Sequence, residues 1–269
     1  MAGKAGMVDL ARARILVVND DGIAAPGLKV LEKVARTLSK DVWVFAPETE
    51  QSGAGHAFTV TGTIRVEQVG RRRYSVSGSP TDCVLLAISE FLKDHPPDLV
   101  LSGVNRGANL AEDVIYSGTV AGAMEGALLG IPSIALSQSR APDRRIRWHA
   151  AERHAADVIR KLVSAKWTRD VFMNVNFPAC GADQVQGVSV VPQGRRSAGY
   201  EILTVPPLRG RHYYMIGEPQ HGNGTRRGDA DHKAVGRNEI AVTPLHVDLT
   251  HRGSLTTIRS LFDTRRADR

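Results

Sequence analysis

The chain predicts an α/β protein: a mostly parallel sheet with helices on both faces, followed by a β-rich tail. Three observations carry that expectation. Short runs such as "ILVV" are apolar at every position, which suits strands buried on both faces. Amphipathic segments with helical spacing alternate with those runs, the order that builds βαβ units with right-handed crossovers. Several of the runs stop abruptly at small polar clusters, where an open parallel sheet forms its binding crevice.

The elements follow in order. Residues 1–13 carry no pattern and are expected to be a flexible lead-in. "ILVVN" is the first buried strand, and "PGLKVLEKVARTLSK" is a helix, with Leu28, Leu31, Val34, Ala35 and Leu38 on one face and Pro26 suited to its start. "DVWVFAP" is a strand ended by Pro47, completing a first βαβ unit. After the polar loop "ETEQSGAGH", the segments "TVTGTIRVEQV" and "RRYSVSG" alternate like the two strands of a hairpin. "SPTDCVLLAISEFLKD" is a helix with Asp82 in its first turn, and "DLVLSGVN" is another buried strand. "SGTVAGAMEGALLG" is a helix of small residues fit for close packing on a sheet. "IPSIALS", "IRWHAAERHAADVIRKLVSA" and "DVFMNVNFP" continue as strand, surface helix and strand. Beyond about Pro178 the alternation fades. "VSVVPQ", "HYYMIG" and "EIAVTPL" read as strands between long polar loops, with a last helix near "GSLTTIRSLF". Such a tail either extends the sheet or is an arm exchanged between protomers.

Composition narrows the function classes. The chain has 269 residues, 42% hydrophobic and 23% charged, as in soluble globular proteins. Cys83 and Cys180 are far apart with no Cys/His cluster, so neither a disulfide framework nor a zinc ribbon is expected, and a reducing cytoplasmic compartment is. There is no secretory h-region and no apolar run long enough to span a bilayer. The net charge is +7, with Arg144, Arg145, Arg147, Arg195, Arg196, Arg226, Arg227, Arg265 and Arg266 all in the later part of the chain. These arginines are not interleaved with aromatics, so a solvated basic surface that attracts anionic substrates is favoured over a nucleic-acid interface.

The polar clusters at the strand ends carry the chemistry. The first strand ends in Asn19, Asp20 and Asp21, the second leads to Gln51, Ser52 and Gly53, and a third ends in Ser102-Gly103-Val104-Asn105, followed by Gly107 and Asn109. In a parallel sheet these oxygens converge on one rim. Two carboxylates, a hydroxyl and an amide carbonyl suit a hard divalent cation such as Mg²⁺ or Mn²⁺. Without a cation the adjacent aspartates would repel and raise each other's pKa. Ser117, Gly118 and Thr119 stand at a predicted helix N-terminus, a ready anion site. Cation and anion site together suggest phosphate-ester hydrolysis. Singly, each has a plainer reading: turn chemistry for the aspartates and Ser52, a left-handed residue for Asn105, an ordinary cap for Ser117. Their joint placement is what points to a site.

The segments "ILVVNDDGIAAPG", "VFAPETEQSG", "SGSPTDCV", "PDLVLSGVNRGAN" and "YSGTVAGAMEG" together closely resemble the SurE (survival protein E) family of metal-dependent nucleotidases. "NVNFP", "PQGRR" and "GDADHKAVGRNEIAVTPLHVDLT" resemble its C-terminal segments, so the likeness runs from about Arg14 to about His251. The resemblance implies a Rossmann-like three-layer core, 14–185 here, and an extension, 186–269, that takes part in dimerisation, with tetramers left open. It implies hydrolysis of nucleoside 5′- and 3′-monophosphates, with short polyphosphate a further substrate of some members. It implies one divalent cation per subunit, Mg²⁺ or Mn²⁺, on Asp20, Asp21, Ser52 and Asn105. Asp20, Asp21 and Asn109 are the expected catalytic residues, Asp21 the candidate to take a proton from water. Asn109, Ser117, Gly118 and Thr119 are assigned to phosphate contact. The departures are Val18 for a small hydroxyl residue, Ser79 for threonine, and Ala111 for glycine. His232 lies outside the matched pattern and is expected to be an ordinary loop histidine. No leaving-group acid is legible.

Rival classes fail on their motifs. G-x-G-x-x-G does not follow the first strand, the aspartates are adjacent rather than one residue apart as in haloacid-dehalogenase-like phosphatases, and G-K-[ST] and G-x-S-x-G are missing. A basic nucleic-acid-binding protein on the same fold is the remaining non-enzymatic alternative.

Overall fold

Strand β1 (Arg14–Val18) sends Ile15 and Val17 into one hydrophobic cluster and Leu16 and Val18 into another, all four fully buried. This period-2 division places core on both sides of the sheet. The computed structural model describes residues 8–166, 168, 170–195, 199–208, 210–219 and 228–262. Residues 1–7 of the expected lead-in and Arg196, Arg226, Arg227, Arg265 and Arg266 lie outside the described residues.

The chain continues through α1 (Pro26–Leu38), β2 (Asp41–Pro47), β3 (Val66–Gly70), β4 (Arg73–Val76) and α2 (Pro80–Leu86), which runs into a π-helical turn over Ala87–Phe91. Next come β5 (Leu99–Arg106), α3 (Asp113–Tyr116), α4 (Gly118–Leu128), β6 (Ser133–Gln138), α5 (His149–Val163) and β7 (Val171–Phe177). The remainder is β8 (Gly187–Val190), β9 (Tyr200–Leu208), β10 (Arg211–Pro219), α6 (Asp231–Gly236), β11 (Glu239–His246) and α7 (Arg252–Phe262). The main sheet has the order β3-β4-β2-β1-β5-β6-β7-β11-β8. Its strands from β4 to β7 are parallel, while β3 and β11 run antiparallel to β4 and β7. The expected α/β architecture is therefore present, with a β-rich C-terminal part.

Leu28, Leu31 and Ala35 of α1 pack with Ala151, Ala155 and Ile159 of α5 on one face. Cys83 and Val84 of α2 pack on the other face, as do Val120 and Ala123 of α4 in a neighbouring cluster. The small residues of α4 have a steric reason: a Cβ on Gly122 would meet Ser102 Oγ at 2.8 Å, and one on Gly126 would meet Ser133 Oγ at 2.3 Å. Close helix–sheet approach requires glycine there. α2 starts with a full capping box, Ser79 accepting from the Asp82 N–H and Asp82 accepting from the Ser79 N–H.

Two local readings differ from the structure. "TVTGTIRVEQV" is strand only from Val66, and its first residue, Thr59, instead gives its N–H and its hydroxyl to the buried Asp82, at 2.9 and 2.8 Å. "YEILTVPPL" forms β9 and, among the described residues, pairs only with β10, outside the main sheet. Pro206 and Pro207 hid it in the sequence, but a two-stranded ribbon consists of edges and tolerates proline. Of the tail's other strands, β8 and β11 extend the main sheet. Among the described residues no helix is long and apolar enough to cross a membrane. Both cysteines are unpaired and buried.

Candidate active site

Parallel β1, β2 and β5 point their carboxyl ends the same way, and the loops leaving them meet around a cavity of about 1150 Å³. Asp20, Asp21, Ser52, Asn105, Asn109 and Ser117 all line it. The turn after β1 is closed by Asn19 Nδ2 donating to the Gly22 carbonyl at 3.0 Å. The Gln51 N–H donates to the Asp20 carbonyl at 2.8 Å, tying the Ser52 loop to the aspartates. In β5, Gly103 at φ +133° lies where a Cβ would come within 2.2 Å of the Leu136 carbonyl oxygen. The β5–β6 register shifts between Ser102 and Asn105 at this point. Such an irregularity re-aims the residues after it, and Asn105 follows directly. Its Nδ2 donates to the Gly107 carbonyl at 3.0 Å, which fixes the amide so that its oxygen is the atom suited to a cation.

The two carboxylates differ. Asp20 is only 3% exposed, and Thr119 donates its hydroxyl to Oδ1. Burial above all, opposed by that hydrogen bond and reinforced by the charge of Asp21, pushes the Asp20 carboxyl up to about 6. Asp21 is also raised, first by burial and then by the charge of Glu50, against the opposing N–H and guanidinium of Arg106. The Arg106 N–H donates to Asp21 Oδ2 at 3.0 Å, and its Nε stands 3.8 Å from Oδ1. Ser52 donates its hydroxyl to Glu50 Oε1 at 2.8 Å, and Arg106 Nη2 donates to the same oxygen at 2.9 Å. The Ser52 hydrogen bond and Arg106 hold the Glu50 carboxyl below its ordinary range, against a smaller opposing effect of burial.

These residues fit a divalent cation. The donor set is all oxygen, and it includes a buried carboxylate, Asp20, whose charge has no cationic side chain in contact among the described residues. The missing Cβ of Gly118 makes room for it, since one built there would come within 2.7 Å of Asp20 Cβ. Among the described residues no group of three or more His, Cys, Asp or Glu gathers at one point, so a zinc-type site is not formed.

The residues assigned to phosphate contact separate. Ser117 lines the cavity and caps α4, its Oγ accepting from the Val120 N–H at 3.1 Å. Gly118 and Thr119 sit behind Asp20, where they shape and hydrogen-bond the carboxylate. Asn109 is 6% exposed and is gripped by β6 and β7. Its Nδ2 donates to Ser137 Oγ at 2.9 Å, and its N–H donates to Asn176 Oδ1 at 2.8 Å. Its carbonyl accepts from Asn174 and Asn176 at 2.9 and 3.1 Å. Asn174 and Asn176 were missed in the sequence, although two asparagines two residues apart in "FMNVNF" mark a polar pair on one face of a buried strand. Asp231, also missed, is fully buried and accepts from the N–H groups of Ala111, Gly194 and His232 at 2.9, 3.0 and 2.7 Å. It pins the end of the Asn105–Asn109 loop from α6. Ala111, the departure from glycine, stands at φ +52°. His232 rests against Asp231, its Nδ1 3.3 Å from Oδ1, and does not line the cavity.

Fold and cleft together define an α/β protein whose cavity gathers side-chain oxygens beside the capped start of a helix. A family model described as Survival protein SurE matches residues 15–200. The 5′-nucleotidase SurE of Paramagnetospirillum magneticum is 52% identical over 256 residues, covering 95% of this chain and 98% of the relative. That of Rhodospirillum rubrum is 52% identical over 258 residues, covering 95% and 97%. The crystal structure of the SurE protein from Aquifex aeolicus superposes with a TM-score of 0.82 at 36% identity, over 93% of this chain and 100% of that one. The chain belongs to the SurE family.

Proposed function

We propose that the protein is a metal-dependent nucleotidase that hydrolyses nucleoside 5′-monophosphates to nucleoside and phosphate, with 3′-monophosphates and short polyphosphate as further substrates. The observation that carries this reading is the meeting of Asp20, Asp21, Ser52 and Asn105 on one cavity at the carboxyl rim of the sheet. The names of the relatives, 5′-nucleotidase SurE, support it. These four residues would hold one divalent cation per subunit, Mg²⁺ or Mn²⁺, which supplies a Lewis acid for a phosphoryl oxygen and lowers the pKa of water. Asp20, buried and held by Thr119, anchors the site. Asp21, at the cavity wall, takes the proton of the attacking water. The water oxygen forms the new bond to phosphorus, the ester P–O bond breaks, and the leaving oxygen takes a proton from solvent. The Asn109 amide and the α4 N-terminus at Ser117 stabilise charge on the equatorial oxygens.

We place the enzyme in the cytoplasm, on the strength of its unpaired cysteines. The same reading makes 14–185 the catalytic core and 186–269 the dimerisation segment. Exposed Ile202, Tyr214 and Ile216 on the β9–β10 ribbon and Leu261 and Phe262 on α7 support association there. Phosphate release from a panel of nucleoside monophosphates, with chelator or with Mg²⁺ or Mn²⁺, tests the function. Turnover that needs metal and falls in Ser52→Ala is expected. Turnover indifferent to chelator and to that substitution would overturn the site.

A further inference from the structure

The residue following Asn105 is an arginine whose backbone and side chain both face the carboxylates. The Arg106 N–H is bound to Asp21, which anchors its Cα at the proposed cation site. Its guanidinium lines the cavity, with Nη2 on Glu50 at 2.9 Å and Nε 3.8 Å from Asp21. Both ends of the Arg106–Glu50 pair are about half exposed, at 51% and 49%. An ion pair this open contributes little to stability. Arg140, which lines the same cavity, donates from Nε and Nη2 to the Arg106 carbonyl at 3.4 and 3.3 Å, bracing the backbone from which the side chain swings.

We propose that Arg106 is a catalytic residue: it leaves Glu50 when substrate arrives and binds two oxygens of the phosphoryl group through its planar fork. The inference rests on the metal-dependent reading above and adds a second cation to it. Three features argue for it. An arginine offers two parallel N–H groups at the spacing of phosphate oxygens, which a point charge does not. Its resting partner is a solvated carboxylate, so the exchange costs little. Glu50 also faces the incoming dianion, and an arginine between the two removes like-charge repulsion. Glu50 has its own part here. By accepting the single proton of Ser52 it leaves the serine lone pairs for the cation, so it remains hydrogen-bonded after Arg106 departs.

The test compares Arg106→Ala and Arg106→Lys with the parent in three measurements: turnover of a nucleoside monophosphate, calorimetric binding of Mn²⁺ to the chelator-stripped protein, and calorimetric binding of inorganic phosphate to the Mn²⁺-loaded protein. Arg106→Ala should lower kcat/KM about a hundredfold, the usual effect of removing one transition-state donor. It should weaken phosphate binding at least about tenfold. Its Mn²⁺ affinity should hold or rise, by up to about tenfold, because a positive charge beside a ligand carboxylate is gone. Arg106→Lys should recover part of the turnover. Opposite movement of metal affinity and turnover is a signature that a merely structural residue cannot give. An alanine variant that loses Mn²⁺ affinity in step with activity, or that turns over at the parent rate, overturns the proposal. If the parent itself neither binds Mn²⁺ nor hydrolyses any nucleotide, the metal-dependent reading fails first, before any variant is made.

Discussion

Replacing Asp20 by asparagine should stabilise the metal-free protein while destroying its response to metal. Asp20 is 3% exposed and its carboxyl is pushed from an ordinary 3.8 up to about 6, mainly by burial. An acid whose pKa is raised on folding contributes most to stability below its unfolded value. That contribution is lost as pH climbs through the folded value. At about 1.36 kcal/mol per unit, the charged carboxylate costs the folded, metal-free protein roughly 3 kcal/mol at pH 8 and about half of that at pH 5. Asparagine keeps an oxygen for the Thr119 hydroxyl and carries no charge to desolvate.

Urea unfolding in chelator should therefore place Asp20→Asn roughly 2 to 3 kcal/mol above the parent at pH 8, with the gap narrowing toward pH 5. Adding Mn²⁺ at about a hundred times its dissociation constant should raise the parent by about 2.7 kcal/mol. The variant should not respond, and its phosphate release should fall to background. A variant no more stable than the parent at pH 8 in chelator, with the same pH slope, would refute the desolvation argument. An equal Mn²⁺ response in both proteins would refute Asp20 as a ligand.

Three other substitutions follow from the same geometry. Thr119→Val removes the hydroxyl donor to Asp20 with little change of volume, and calorimetry should record about a 10- to 100-fold loss of Mn²⁺ affinity with the fold retained. Asn176→Ala strands the buried Asn109 N–H and should cost about 1 to 3 kcal/mol in urea unfolding, with a weakened KM where the displaced loop meets substrate. Ala111→Gly relieves a left-handed alanine at φ +52° but deletes a fully buried methyl, two effects of about 1 kcal/mol each, so the stability in urea unfolding should stay within about 0.5 kcal/mol of the parent.

The sequence by itself determined the layer order and which polar residues gather at the cavity. Both are local signals repeated along the chain: a strand apolar on both faces must be covered on both sides, and polar letters at its carboxyl end must emerge on one rim. Asp20, Asp21, Ser52 and Asn105 were legible because each lies at the carboxyl end of such a strand or in the loop that leaves it. Tertiary structure alone decided what surrounds them. Thr119 reads as part of an anion-binding turn until the fold brings α4 against β1 and turns its hydroxyl to Asp20. Asn174, Asn176 and Asp231 lie 65, 67 and 120 positions from the loop residues they hold, and no local pattern reports a hydrogen bond over that distance. The strand β9 was hidden by its prolines, and only its partner β10 makes it one. Arg106 was visible as a letter in "VNRGAN", but its role depends on Glu50 and Asp21 arriving beside it from two other strand ends. The proposed ligands sit where one strand stops; the groups that orient them come from wherever the fold brings the chain back, because a buried carboxylate or N–H must find its partner in space rather than in sequence.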